Sequence, residues 1–288
     1  MLIVEGNIEE DSKIFIKAAG KKVSDNLKDL FLNFEPSTNV EIIHPGNLDE
    51  NSNALDKIKT YDGIAFTGGA MRLNDMSDEI KKHISFAKNC LENGKKILAI
   101  CWGLQVCSFA VGGKVNKGKK GAHMGIAQNV RINTTGIKHL LYHNKINNFN
   151  TPAFNFDEVC EIPENSEILA SNNVNDVMGL SITYKNSTVW GLQYHPDYKF
   201  NQTINLTKLR KGKLISNNYF SNEDDFTKHI SYIQEEEKKL KFENRTQEIK
   251  NWLNFIKKLI ISFLISLFIK NFLKIIVFFF FSFYVILI

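Results

Sequence analysis

The feature that most constrains this chain is an apolar strand that passes into a helix without a loop. Lys96–Ile100 reads as a buried strand and Leu104–Val111 as an apolar helix stopped by Gly112-Gly113, with only Cys101-Trp102-Gly103 between them. Elements joined so closely meet at a sharp elbow. The elbow strains the backbone of its central residue and lifts that side chain above the C-terminal edge of a sheet. The rest of the N-terminal half has the same rhythm. Leu2–Val4, Val40–His44 and Asp62–Thr67 are strand candidates, the last two ending at Pro45-Gly46 and Gly68-Gly69. Val23–Phe34 has apolar residues at helical spacing, and Ser77–Asn93 is a predicted helix with Ser77 as N-cap, Glu79 in the first turn and Gly94 just past the end. Strands alternating with helices imply an α/β fold with a mainly parallel sheet.

After Lys114 the pattern changes. Short alternating strands separated by Asn, Gly and Pro run to Asp197, and Ser181–Tyr184 with Thr188–Tyr194 form a predicted hairpin across Lys185-Asn186-Ser187. From Asn201 to Lys258 the pattern is helical and highly charged, as in Gln234–Lys241, and reads as a solvated helical extension. Residues 259–288 hold 8 of the 22 phenylalanines and are apolar apart from Lys270, Asn271, Lys274 and three serines. The domain reading is 1–200, 201–258 and 259–288.

A net charge of +5, from 36 basic and 31 acidic residues, is too thin to point to nucleic acid. Cys90, Cys101, Cys107 and Cys160 form no Cys-x-x-Cys pair, which argues against zinc knuckles and thioredoxin-type redox sites. Met1-Leu2-Ile3-Val4-Glu5 lacks the basic region and apolar core of a signal peptide and reads as a first strand. The expectation is a cytosolic protein with free thiols.

Cys101 is the candidate nucleophile. The start of a helix places positive partial charge beside it, favouring a negatively charged sulfur, and leaves the Trp102 N–H to face an oxyanion. The bland alternative is a structural cysteine ending a core strand. The other three cysteines sit on a helix or in the irregular half and read as structural. His195, in Gly191-Leu192-Gln193-Tyr194-His195-Pro196-Asp197, is the candidate base, and Asp197, two residues on, lies on the same face of an extended segment and can orient the imidazole. A surface His-Pro turn is the competing reading. Gly69 N–H is a second candidate oxyanion donor, against a plain loop-closing glycine pair. His139 and His143 are four apart, but no acidic residue or cysteine accompanies them as a metal partner.

Taken together, Gly68-Gly69-Ala70, Cys101-x-Gly103-x-Gln105 and Gly191 to Asp197 resemble the class I glutamine amidotransferases, most of all the stand-alone branch similar to the glutaminase domain of GMP synthase. Phe156-Asp157-Glu158-Val159, Ile162-Pro163 and Ile168-Leu169-Ala170-Ser171-Asn172 look like that branch's D-E-V, L-P and L-A-S-N segments. Arg245-Thr246-Gln247-Glu248-Ile249-Lys250-Asn251-Trp252-Leu253 looks like its R-x-x-E-I-R-N-W-L ending. The resemblance implies a flavodoxin-like fold with Cys101 as nucleophile, His195 as base and Asp197 as its orienting acid. Gly69 and Trp102 would form the oxyanion hole, and Gln105 would lie against bound L-glutamine. It implies release of ammonia through a γ-glutamyl thioester, with no metal or organic cofactor. The alternatives are a γ-glutamyl hydrolase acting on a γ-glutamyl amide or peptide, and an inactive membrane-tethered binding protein.

Three departures stand out. Asp197 is one methylene shorter than the family's usual Glu, no His precedes Asp157 in Ala153-Phe154-Asn155-Phe156, and 259–288 has no counterpart. Neither a P-loop nor an S-G-G-x-D-S loop occurs, so a separate synthetase subunit would have to accept the ammonia, or free ammonia is the product. The tail reads as a membrane anchor, an interface helix or a non-ancestral extension. Its uncharged run 275–288 would span ~21 Å as a helix, short of a ~30 Å hydrocarbon core. A chain ending at Lys258 is expected to fold.

Overall fold

Nine strands form one mixed sheet flanked by helices in the computed structural model, which describes residues 1–47 and 54–261. In chain order the strands are β1 (Leu2–Val4), β2 (Glu41–Ile43), β3 (Ile64–Phe66), β4 (Lys96–Ile100), β5 (Lys114–Lys117), β6 (His123–Ile132), β7 (Asn148–Asn155), β8 (Asp157–Glu161), β9 (Ser166–Ser171), β10 (Gly179–Tyr184) and β11 (Ser187–Leu192). Their spatial order is β2-β1-β3-β4-β11-β10-β9-β6-β7, with β5 and β8 paired apart as a two-stranded ribbon. From β2 to β11 every pairing is parallel, and from β11 to β7 every pairing is antiparallel. The change falls at β11, which runs parallel to β4 with Leu192 opposite Ile100. The C-terminal ends of β4 and β11 therefore open at the same edge.

The helices are α1 (Glu9–Ala19), α2 (Val23–Phe34), α3 (Ala54–Lys57), α4 (Asp78–Glu92), α5 (Trp102–Ala110), α6 (Thr134–Lys138), α7 (Phe200–Leu209), α8 (Lys211–Ser216) and α9 (Glu223–Lys239). Ser77 caps α4 by accepting from Ile80 N–H at 3.4 Å, and Gly94 follows the helix at φ 69°. α5 starts at Trp102, two residues before the predicted helix, because it follows Cys101 directly. β11 ends at Leu192 rather than at Tyr194. There Gln193 N–H turns to Met178 O and His195 N–H to Pro152 O, carrying the chain across to the antiparallel half. α1 carries no clear sequence signal, since Ile14 and Ile16 face solvent while Phe15 and Ala18 are buried.

One apolar cluster joins β1, β3, β4, α4 and α5, with Phe66, Phe86, Trp102 and Leu104 among its members. A second joins β6 and β7 to the helices after residue 200 through Met124, Ile126, Phe154, Phe200, Phe226 and Ile233. The charges of α9 cover its outer face only, and its buried stripe is Phe226, Ile230 and Ile233.

Two compact units divide the chain, Met1–Trp252 and Leu253–Ile288. Residues 242–252 are helical and belong to the first. In the second, 253–261 are helical, and the tail from residue 262 onward lies outside the described residues. Among the described residues, no helix is long and apolar enough to cross a membrane.

Candidate active site

Cys101 sits at φ 51° and ψ −102°, between β4 and α5. This is left-handed backbone that a residue with a Cβ seldom adopts, and it is held by bonds on both sides. Cys101 N–H donates to Leu192 O at 2.6 Å, and Gly103 N–H donates to Thr67 O at 3.1 Å. A Cβ on Gly103 would come within 2.6 Å of Phe66 Cβ, so only glycine lets α5 start this close to β3. The sulfur is buried, with Gln193 Nε2 at 3.4 Å and Phe154 O at 3.9 Å. Cys90 and Cys107 lie in the core, where burial pushes both thiols up, and Cys160 is exposed. All four are free.

The parallel register of β11 on β4 delivers His195 to Cys101. His195 Nδ1 lies 3.1 Å from Asp197 Oδ1, and Cys101 is near enough to act electrostatically on the ring. Tyr198 stacks on the imidazole at 3.8 Å between centroids and 10° between planes. On the ring's edge Gly68 is required, because a Cβ there would collide with His195 Cε1. Burial works against a charge on His195, but Asp197 and Cys101 outweigh it and hold the imidazole pKa up at about 10. Asp197 Oδ2 is buried and has no hydrogen-bond partner among the described residues.

The other predicted site residues converge on the same edge. Trp102 is the first residue of α5, so its N–H has no carbonyl within the helix. Gly69 packs against the backbone of Gly6, and the next N–H, of Ala70, donates to Asn7 Oδ1 at 2.9 Å. Neither Gly69 N–H nor Trp102 N–H reaches an acceptor among the described residues. Gln105 is buried beside the site, where its Nε2 donates to Asp157 O at 2.8 Å and to Gln193 Oε1 at 3.3 Å. It thereby fixes the amide that faces the sulfur.

Sequence reasoning passed over Gln193, Tyr198 and Arg245 as site residues. Gln193 and Arg245 stand inside motifs already noted, but only folding gives them a target. Arg245 donates to Pro196 O at 2.6 Å and Tyr198 O at 2.8 Å, clamping the segment that bears Asp197. Three residues on, Glu248 accepts from Tyr194 Oη at 2.5 Å and pairs with Lys145 at 2.9 Å. The R-x-x-E pattern thus fastens both sides of His195.

Asn155 stands just before Asp157, in the stretch without a histidine, and its Oδ1 lies 2.8 Å from Nδ1 of His123 on the neighbouring strand. Burial outweighs the bonds from Asn155 and Asn172 and lowers His123 to about 4, leaving it neutral. His139 accepts from Leu141 N–H and packs edge-on to Trp190, and His143 is not its partner in any bond. Among the described residues, no group of three or more His, Cys, Asp or Glu is placed to hold a metal ion.

Residues 16–207 match the family model described as glutamine amidotransferase class-I. A γ-glutamyl-L-1-hydroxyisopropylamide hydrolase from a Pseudomonas species is 28% identical over 200 residues, covering 68% of this chain and 67% of that protein. One of the subunits of the glutamine-hydrolysing GMP synthase of Methanococcus vannielii is 27% identical over 178 residues, covering 62% of this chain and 80% of the relative. γ-Glutamyl peptidase 3 of Arabidopsis thaliana is 31% identical over 154 residues, or 51% of this chain and 58% of its own length. Among solved structures, a glutamine amidotransferase from Thermotoga maritima superposes over 88% of this chain and 96% of its own, with a TM-score of 0.63 and 15% identity. The shared architecture is the flavodoxin-like α/β fold.

Proposed function

The chain belongs to the class I glutamine amidotransferases, and we propose that within this family it cleaves the γ-carboxamide of L-glutamine through a thioester on Cys101. The observation that carries this reading is one buried constellation: a cysteine at a strained elbow, beside a histidine that is itself bonded to Asp197. The Cys101 sulfur bonds to the amide carbon, and the carbonyl electron pair moves onto oxygen, which faces the N–H groups of Gly69 and Trp102. Collapse breaks the carbon–nitrogen bond. His195, protonated at neutral pH with its pKa up at about 10, gives its proton to the departing nitrogen, and ammonia leaves. Water then gives a proton to His195 as its oxygen bonds to the acyl carbon. The carbon–sulfur bond breaks, freeing glutamate and restoring the sulfur.

The test is hydrolysis of L-glutamine by purified protein. Cys101→Ser abolishes turnover, whereas Cys107→Ser, in the core, keeps most of it. Equal loss in both variants would overturn the assignment of the nucleophile. The relationship to the Methanococcus GMP synthase protein supports passage of the ammonia to a separate synthetase subunit. A second reading, hydrolysis of a γ-glutamyl amide with release of an amine, is favoured by the relationship to the Pseudomonas hydrolase and uses the same steps. Turnover of L-glutamine and of γ-glutamyl amides measured side by side separates the two.

A further inference from the structure

A cavity of about 40 Å³ opens beside the imidazole of His195, lined also by Asn7, Asp11, Phe15, Phe154 and Arg210. It contains charges that the release of ammonia does not need. Arg210 ends α7, and its guanidinium lies over the Phe154 ring, 4.7 Å from the centroid. The carbonyl of the same Phe154 lies 3.9 Å from Cys101 Sγ, so one residue of β7 touches both the nucleophile and the cation of the cavity. Among the described residues, no carboxylate forms an ion pair with Arg210; Asp11, in the first turn of α1, acts on it only through space. Both side chains are half-buried, so their charges are partly stripped of water.

We propose that this cavity is the subsite for the leaving amine, and that Arg210 binds the carboxylate of a small α-amino acid released from a γ-glutamyl dipeptide. The proposal rests on the γ-glutamyl thioester chemistry of Cys101. His195 hands its proton to the departing nitrogen, so a cavity against His195 receives whatever that nitrogen carries. The α-carbon of the γ-glutamyl group lies three carbons away from that nitrogen's carbonyl, on the other side of the breaking bond. A cation and an anion facing one cavity match an amino acid zwitterion. Arg210 takes the carboxylate, and Asp11 faces the nitrogen as it becomes an ammonium. The cavity is small, about 40 Å³, which favours glycine, the smallest amino acid, over one with a large side chain.

The test compares γ-glutamylglycine with γ-glutamylglycinamide, which has nearly the same size and no carboxylate, using the full-length protein. The wild type should favour γ-glutamylglycine in kcat/KM by about tenfold or more, the worth of one charge-assisted hydrogen bond. Arg210→Gln should bring the ratio close to one, and Arg210→Lys should keep part of it. Without any variant, free glycine should slow alkylation of Cys101 by iodoacetamide more than glycinamide does. A wild-type ratio of one, a ratio unmoved by Arg210→Gln, or cleavage of L-glutamine alone overturns the subsite and leaves the thioester chemistry standing. If Arg210→Gln instead weakens discrimination against 4-aminobutanamide, which lacks the α-carboxylate of glutamine, the cavity belongs to the γ-glutamyl end and the proposal fails. Absence of turnover with L-glutamine and both dipeptide derivatives refutes the proposed function itself.

Discussion

His195–Asp197 and Lys145–Glu248 both bury a cation against a carboxylate, and the side chains of both pairs are at most 3% exposed. Tyr194 ties one to the other, since its hydroxyl bonds Glu248 and its backbone leads into His195. They are finished differently. Glu248 is met by Lys145 and Tyr194, and Lys145 also donates to Asn244 O and lies 4.3 Å from the centre of the Phe149 ring. Asp197 satisfies one oxygen on His195 and leaves the other without a donor among the described residues. The histidine gives Nδ1 to Asp197, and Cys101, a residue in strained backbone, acts on the same ring. A structural pair is saturated because each unmet bond weakens the fold. The pair proposed as catalytic keeps unused bonding capacity, as it must if the proton it holds has to leave.

The largest effect that tests this contrast is on rate. Cys101→Gly should lower L-glutamine hydrolysis by about 10⁴-fold or more, since no other residue at the elbow offers a nucleophile. Residual turnover near the wild-type level, assayed by released glutamate, would place the chemistry elsewhere. Next comes stability. Lys145→Met leaves Glu248 buried and unpaired and should cost about 3–5 kcal/mol in urea denaturation. The molecules that remain folded should keep kcat/KM within a few-fold. A stable Lys145→Met protein with a large rate defect would reverse the roles given to the two pairs.

A smaller change follows at Asp197. Asp197→Asn should reduce kcat/KM by about 10²-fold, and less than His195→Ala does, because in the proposed mechanism Asp197 orients the base and transfers no proton itself. The sign of its pH effect is set by His195, whose pKa is raised from 6.5 to about 10 chiefly by Asp197 and Cys101 against the pull of burial. The stability from this interaction is therefore fully present below pH 6.5 and lost as pH rises through about 10. Removing the carboxylate charge lowers that pKa, so the alkaline limb of the kcat/KM profile should move toward neutral pH. An unmoved limb would show that Asp197 does not support the imidazolium. The smallest effect sharpens the contrast most. Cys101→Gly should raise stability by about 1 kcal/mol, because glycine adopts a positive φ without the steric cost.

The elements that give the site its parts are local and legible. Strand β4, the elbow, the Ser77 cap and the β10–β11 hairpin each depend on residues within one short window, so apolar runs, glycines and caps announce them. The spacing from His195 to Asp197 is equally local and carries over into a 3.1 Å bond. α1 is not legible, because Ile14 and Ile16 lie on its outer face and erase the periodicity that marks a buried stripe. The parallel pairing of β11 with β4 has no local signature, and neither does the ribbon of β5 and β8.

By itself, the sequence determined the strand–helix alternation, the strained cysteine and the histidine–aspartate pair, because backbone preference and side-chain period act over a few residues. Only the tertiary structure decided that Leu192 lies opposite Ile100, and with that register His195 meets Cys101. It likewise decided that Gln193 faces the sulfur, that Arg245 clamps the carbonyls of Pro196 and Tyr198, and that Arg210 comes to rest over Phe154. These contacts join residues 47 or more positions apart in the chain. Nothing in the spacing of a guanidinium from a distant carbonyl is encoded locally. The partner is selected only when apolar burial closes the sheet and leaves each buried polar group one place to bond.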